Sequence, residues 1–253
     1  MVGLLPVLFL CVAWLYAMAG FGGGSTYIAL LAISGLPFAA VPVLALVCNL
    51  IVSGQGSVAL VRAGHAQRSI VLPLLFASIP CAFLGGAWRL SESTFIVILA
   101  AALSAAGVAM LWQGRFTGRS DVAIQTPSMP LLFAVGAGLG LLAGVTGIGG
   151  GIYLAPVMHL LGWARAQSIA ACTSLFIALN SLAGLVGQLT KGTDLLQSIP
   201  LMVLIGCPIA VLIGGGVGTY LLTHKLPHAR VCGITAAVIL LVAVRLWLKV
   251  LLA

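Results

Sequence analysis

Apolar runs long enough to cross a lipid bilayer follow one another along almost the whole chain. About 20 consecutive apolar residues span the hydrocarbon core as an α-helix. Runs of about this length cover residues 38–61, 69–88, 94–112, 166–189, 198–222 and 230–251, and slightly shorter ones cover 4–19 and 130–146. Only 6% of the 253 residues are charged, against about a quarter in soluble proteins. The sequence therefore predicts an all-α integral membrane protein.

Two runs of glycine interrupt this apolar pattern. Gly22, Gly23 and Gly24 form the first run, and Gly149, Gly150 and Gly151 form the second. A glycine inside a helix costs roughly 1 kcal/mol relative to alanine, so three in a row predict a break in the helix. The apolar run after each break has about ten residues, which cover roughly 15 Å and only half of the hydrocarbon core. Each break is therefore expected to start a half-length helix.

The sequence contains an internal repeat. The stretch GFGGGSTYIALLAISG at 20–35 matches GIGGGIYLAPVMHLLG at 147–162 with an offset of 127, and Pro73 meets Pro200 at the same offset. We predict a first repeat at 1–120 and a second at 121–253, which together form one membrane domain. Each half then has four transmembrane spans plus one half-length helix, or about eight spans in all. Such duplications are common in transporters.

The orientation of the two halves stays open at this point. Four crossings per half make the halves parallel, whereas a short helix that completes its own crossing makes the count five and the halves inverted. Cytoplasmic loops are enriched in Lys and Arg. With 62–68, 115–119 and Lys191 placed inside, the cations left outside are Arg89, Arg165, Lys225 and Arg230. We lean to an orientation with both termini inside.

The charges also exclude several function classes. The eleven Lys and Arg residues are scattered singly among short connections and form no basic stripe for nucleic acid. None of the three acids lies at the centre of an apolar run, which argues against a proton relay through a buried carboxylate. No nucleotide-binding motif follows the glycines, and no catalytic constellation of acid, His or Cys is evident. We expect no enzyme activity, no cofactor and no metal site.

The glycine breaks predict an anion site. The first turn of a helix has free N–H groups and a partial positive charge, and glycine lets a ligand approach that backbone closely. Two such helix starts, one from each half, would hold an anion at the repeat interface. Close helix packing is the alternative role of the glycines. Polar groups on the third segment of each half are further candidates, although helix-to-helix hydrogen bonds are an equal alternative for each of them. The candidate site residues are Gly22, Gly23, Gly24, Ser25, Asn49, Ser53, Gly149, Gly150, Gly151, Thr173, Ser174, Asn180 and Ser181.

The doubled glycine motif resembles the TauE/SafE family of sulfite exporters, and so does the stretch AQSIAACTSLFIALNSLAGLVGQL at 166–189. The resemblance covers essentially the whole chain. It implies a multi-pass secondary transporter in the cytoplasmic (inner) membrane that moves sulfite, sulfonates or related small organic anions. Alternating access would be driven by a gradient, with H⁺ or Na⁺ as the candidate coupling ion, and a homo-oligomer is compatible with it. An anion channel of the same architecture and a non-transporting membrane subunit are the alternatives.

Overall fold

The computed structural model describes residues 2–37, 39–116, 125–192 and 199–224, together with residues 240, 243, 244, 247 and 248. The regular secondary structure of these residues is helical, without a β-strand, and turns and short loops join the helices. A short 3₁₀ turn at Val2–Leu4 leads into the first helix. The helices are α1 (Leu5–Ala17), α2 (Gly24–Ile33), α3 (Ala40–Arg62), α4 (Arg68–Ala87), α5 (Glu92–Phe116), α6 (Met129–Thr146), α7 (Gly151–Leu160), α8 (Ala166–Leu189) and α9 (Leu201–His224).

The predicted apolar runs coincide with these helices within a few residues. Among the described residues, α3, α4, α6, α8 and α9 are long and apolar enough to span a bilayer. Helices α2 and α7 have ten residues each, so the two predicted half-length helices are present. The predicted last span at 230–251 lies largely outside the described residues.

The glycines that cap α2 and α7 have the same backbone conformation. Gly23 and Gly150 cap the two helices in the left-handed region, at φ of +88° and +79°. The Gly23 carbonyl accepts from the N–H groups of residues 26 and 27, and the Gly150 carbonyl accepts from those of 153 and 154. Both pairs are related by the offset of 127. Only glycine adopts this conformation without strain, which explains why it stands at both positions.

The directions of the packed helices follow from residue pairs. Asn49 contacts Ser181, and a Cβ added to Gly56 would lie 3.6 Å from the Ser174 Cβ. Contact partners therefore advance along α3 as they recede along α8, so these two helices are antiparallel. Gly136, Gly140 and Gly144 of α6 face Leu74, Ser78 and Ala82 of α4 in order, so α4 and α6 are parallel.

The same reasoning places α1 beside α9. Gly206 of α9 faces Pro6 of α1, and Gly218 faces Trp14, so this pair is parallel as well. Each of these two pairs therefore joins the first helix of one half to the fourth helix of the other half: α1 with α9, and α6 with α4. Because α3 and α4 are joined by a short connection and are antiparallel, α6 runs parallel to α8. The short helix α7 and the segment that follows it must then return the chain toward the end at which α6 begins.

The expectation that Arg89 and Lys191 lie on opposite sides of the membrane is wrong. The Arg89 Nη2 donates to the Lys191 carbonyl at 3.3 Å, so the ends of α4 and α8 lie on the same face of the protein. The expectation placed Lys191 on the same side of the membrane as 62–68, and these two connections follow α8 and α3. Since α3 and α8 are antiparallel, matching connections lie on opposite faces.

Glycines allow α4 and α6 to approach within backbone contact. A Cβ on Gly144 would collide with the Ala82 carbonyl oxygen, and one on Gly140 with the Ser78 carbonyl oxygen. Gly138 lies on the same helix with no atom within 4 Å of an added Cβ. The close approach maximises van der Waals contact between helices in lipid, where the hydrophobic effect contributes little.

We predict opposite effects for two alanine substitutions in α6. Gly144→Ala should push α4 and α6 apart and destabilise the fold by about 1–3 kcal/mol, as overpacking does. Gly138→Ala should be neutral or stabilising by up to about 1 kcal/mol, because alanine is the better helix former. Thermal unfolding of both variants in the same detergent checks this. Equal melting temperatures for the two variants would contradict the packing described here.

Candidate anion-binding site

The two glycine turns meet between α3 and α8. A Cβ added to Gly24 of the first turn would lie 2.9 Å from the Ile148 carbonyl oxygen of the second. Gly22 and Gly149 both lie against Asn49. Residues 124 positions apart in the sequence are thus brought within contact distance, as the anion-site hypothesis requires.

Asn49 joins the two turns with its carboxamide. Its Oδ1 accepts from the Gly24 N–H at 3.1 Å, at the start of α2. Its Nδ2 donates to the Ile148 carbonyl oxygen at 2.8 Å and to the Ser181 Oγ at 3.0 Å. One side chain therefore satisfies a donor of the first turn and an acceptor of the second, and ties both to α8.

The position of Asn49 follows from its place on α3. Its side chain is completely buried, and a buried amide is costly unless its hydrogen bonds are made. The Ser53 Oγ donates to the Asn49 carbonyl at 2.6 Å, and the Ser57 Oγ donates to the Ser53 carbonyl at 2.7 Å. These two serines are bonded within their own helix, so Ser53 supports Asn49 without reaching the turns.

At three of the glycines, any larger side chain would collide with Asn49 or Ile177. A Cβ on Gly22 would collide with the Asn49 Oδ1, and one on Gly149 with its Nδ2. A Cβ on Gly151 would collide with the Ile177 side chain. Ile177 of α8 also lies against Gly22 and Gly149, so this apolar residue covers both turns. Sequence reasoning missed Ile177, because an isoleucine in an apolar run carries no signal.

Ser25 is held by a residue that sequence reasoning also missed. The Tyr16 hydroxyl lies 2.7 Å from the Thr26 Oγ1 and 3.3 Å from the Ser25 Oγ. All three side chains are buried. Tyr16 of α1 therefore fixes the first turn of α2. A buried tyrosine needs a polar partner, which was the available signal in the sequence.

The other candidate polar residues of α8 make bonds within that helix. The Thr173 Oγ1 donates to the Ile169 carbonyl at 2.7 Å, and the Ser174 Oγ to the Ala171 carbonyl at 3.1 Å. The Asn180 Nδ2 donates to the Phe176 carbonyl at 2.8 Å, and its buried Oδ1 has no hydrogen-bond partner. Of the α8 candidates, Ser181 bonds to Asn49 at the turns, whereas Thr173 reaches Gly151 only with its backbone carbonyl.

The space beside the turns is small. A cavity of about 10 Å³ is lined by residues of the first turn, by Tyr16 and by Ile148, Ile152 and Ile177. This volume holds about one water molecule and no polyatomic anion. The Gly24 N–H is occupied by Asn49. The described conformation is therefore closed at the turns, and a ligand that takes this N–H must displace the Asn49 carboxamide.

Comparison with known proteins identifies a family. A model of the sulfite exporter TauE/SafE family matches residues 5–246. The probable membrane transporter protein y4hK of Sinorhizobium fredii is 33% identical over 217 residues, which cover 85% of each chain. A probable membrane transporter protein of Haemophilus influenzae is 36% identical over 104 residues, covering 39% of this chain and 38% of its own. None of the solved structures gives a significant match.

We predict that Asn49→Leu destabilises the protein far more than Ser57→Ala does. Leucine has a similar volume but leaves the Gly24 N–H and the Ile148 carbonyl buried without Asn49. A buried polar group that loses its partner costs about 1–3 kcal/mol. Ser57→Ala removes only a bond within α3. Thermal unfolding in detergent measures both, and a melting temperature for Asn49→Leu at or above that of Ser57→Ala would contradict the bridging role.

Proposed function

Because the chain belongs to the sulfite exporter TauE/SafE family, we propose that it is a secondary transporter of sulfur-containing anions such as sulfite or small sulfonates. The observation that carries this proposal is the convergence of the two glycine turns on Asn49. The family to which the chain belongs makes it a membrane transporter. The helix starts at the two glycine turns support an anion as the substrate.

In this proposal the anion binds to the helix starts. The N–H groups at the beginning of α2 and α7 carry the positive ends of two helix dipoles, which favour negative charge. Gly22, Gly23, Gly24, Ser25, Gly149, Gly150 and Gly151 form the backbone of the site, while Asn49 and Ser181 donate side-chain hydrogen bonds. Ser53 supports Asn49, whereas the side chains of Thr173, Ser174 and Asn180 bond within α8 and would contact the anion in another conformation.

The Asn49 carboxamide and the anion compete for the same donor. In the closed state the Asn49 Oδ1 accepts from the Gly24 N–H. When the anion arrives, Asn49 rotates away and presents its Nδ2 to the anion instead. An empty carrier thereby keeps its buried N–H satisfied, and this exchange couples binding to movement of the turns.

Inverted repeats are the arrangement that the helix directions favour. Helices α3 and α8 occupy matching places in the repeats and are antiparallel, which indicates a two-fold axis in the membrane plane. The short helices α2 and α7 then return the chain, so each half makes five passes rather than four. We propose repeats at 1–120 and 121–253 that rock about Asn49 for alternating access, in the cytoplasmic membrane, with H⁺ or Na⁺ as the coupling ion.

Transport by purified protein in liposomes tests this function. An imposed proton or sodium gradient should drive sulfite across the liposome membrane when the wild-type protein is present. Gly22→Ala should reduce the rate about tenfold or more, since its Cβ displaces Asn49 and the loss of about 1.4 kcal/mol corresponds to that factor.

Gly54→Ala is the matched control. Gly54 lies on α3 one turn beyond Asn49, and an added Cβ meets nothing within 4 Å. This variant should keep the wild-type rate. Failure of the wild-type protein to move sulfite or small sulfonates under either gradient would contradict the proposal, as would equal rates for the two variants.

A further inference from the structure

A larger cavity opens beside the second glycine turn, outside the closed space at Asn49. Its volume is about 300 Å³, at the lower end of the range of about 300–1,000 Å³ for small-molecule sites. Pro42 and Val145 form part of its wall. A Cβ added to Gly147 would lie 3.1 Å from the Pro42 Cβ, so this cavity, called the vestibule below, adjoins the second turn.

The polar wall of the vestibule consists of Arg89, Lys191 and Gln188. The Arg89 Nη2 donates to the Lys191 carbonyl at 3.3 Å, and the Lys191 Nζ donates to the Gln188 Oε1 at 2.9 Å. Partial burial, and secondly the charge of Arg89, lower the pKa of Lys191. Two cations that follow the ends of α4 and α8 are therefore held side by side facing one cavity, where an anion would relieve their repulsion.

The rest of the vestibule wall is apolar. Its apolar lining residues are Ala39, Pro42, Trp88, Leu90, Phe95 and Val145. An inorganic oxyanion such as sulfite would leave this surface uncovered. An organic anion with an apolar body would pair its charged group with the cations and bury its body against the apolar wall, which removes apolar area from water.

We propose that the vestibule is a binding site for organic anions that carry one sulfonate or carboxylate group on an apolar body. This inference rests on the proposed transport function and narrows it, since the vestibule would select organic sulfonates over sulfite before they reach the glycine turns. Arg89 and Lys191 bind the charged group, and Trp88, Leu90 and Phe95 contact the body.

Calorimetric titration of the purified full-length protein with benzenesulfonate tests the site. Benzenesulfonate should bind about tenfold or more tightly than methanesulfonate or sulfite, because only its ring buries apolar surface. Neutral benzenesulfonamide should bind weakly. Arg89→Gln and Lys191→Gln should each weaken benzenesulfonate binding about tenfold, the loss expected for one charge-assisted hydrogen bond.

Arg62→Gln is the control for net charge. Arg62 ends α3 and is exposed at the opposite face, so this variant should bind benzenesulfonate as the wild type does. Quenching of Trp88 fluorescence by 4-nitrobenzenesulfonate, absent in Trp88→Phe, gives a readout that does not depend on the folding of the cation variants. Unchanged affinity in both cation variants, or unchanged quenching in Trp88→Phe, overturns the proposal.

Two acids close to the cations in sequence refine this test. Glu92 and Asp194 follow Arg89 and Lys191 by three residues. Glu92→Gln and Asp194→Asn remove negative charge, so they should leave benzenesulfonate binding unchanged or strengthen it. Loss of binding in both variants with Arg89→Gln unaffected would overturn the assignment of the cations as the anion site.

An anionic lipid shares this chemistry of a charged group on an apolar body. Titrations are therefore repeated in nanodiscs of phosphatidylcholine with and without phosphatidylglycerol. Benzenesulfonate binding in both supports the proposal, whereas phosphatidylglycerol binding that depends on Arg89 and Lys191 without benzenesulfonate binding overturns it. Sulfite transport without benzenesulfonate binding contradicts the vestibule alone, and benzenesulfonate binding without any anion transport contradicts the proposed function alone.

Discussion

The carboxamide of Asn49 is the interaction on which the rest of the site depends. A helix broken inside a membrane exposes backbone donors and acceptors that lipid cannot satisfy. Asn49 accepts from the Gly24 N–H of one break and donates to the Ile148 carbonyl of the other. One side chain therefore satisfies a backbone group of each break. This arrangement requires α3 and α8 to cross antiparallel at this depth, and it requires glycine where Asn49 meets the turns.

Neutral groups suit a carrier better than a fixed buried cation would. A buried charge is expensive when its partner is absent, and a carrier spends part of its cycle empty. Helix starts and a carboxamide can satisfy one another in the empty state and release their donors when an anion arrives. The permanent charges, Arg89 and Lys191, lie instead at the ends of α4 and α8, where Lys191 is only partly buried. In the proposed transport cycle, the cations would attract the anion near the surface and the glycine turns would bind it at depth.

Much of the helix plan could be predicted from the sequence, because apolar runs and glycine breaks mark helices directly. The run at 166–189 coincides with α8, and Asn49 lies at the turns as expected. The partners of Asn49 could not be predicted. The repeat aligns Asn49 with Phe176, whereas antiparallel packing joins it to Ser181. Pairing across α3 and α8 depends on their three-dimensional register, which a comparison of the halves does not contain. The contact of Arg89 with Lys191 depends in the same way on the packing of α4 against α8.

The competition between Asn49 and an anion for the Gly24 N–H is best tested by crystals grown with selenite, a sulfite analogue whose selenium scatters X-rays anomalously. We predict an anomalous peak within hydrogen-bond distance of the backbone N–H groups of both glycine turns, with the Asn49 Oδ1 withdrawn from Gly24. A structure in which bound selenite lies elsewhere while Asn49 still joins Gly24 to Ile148 would contradict the account.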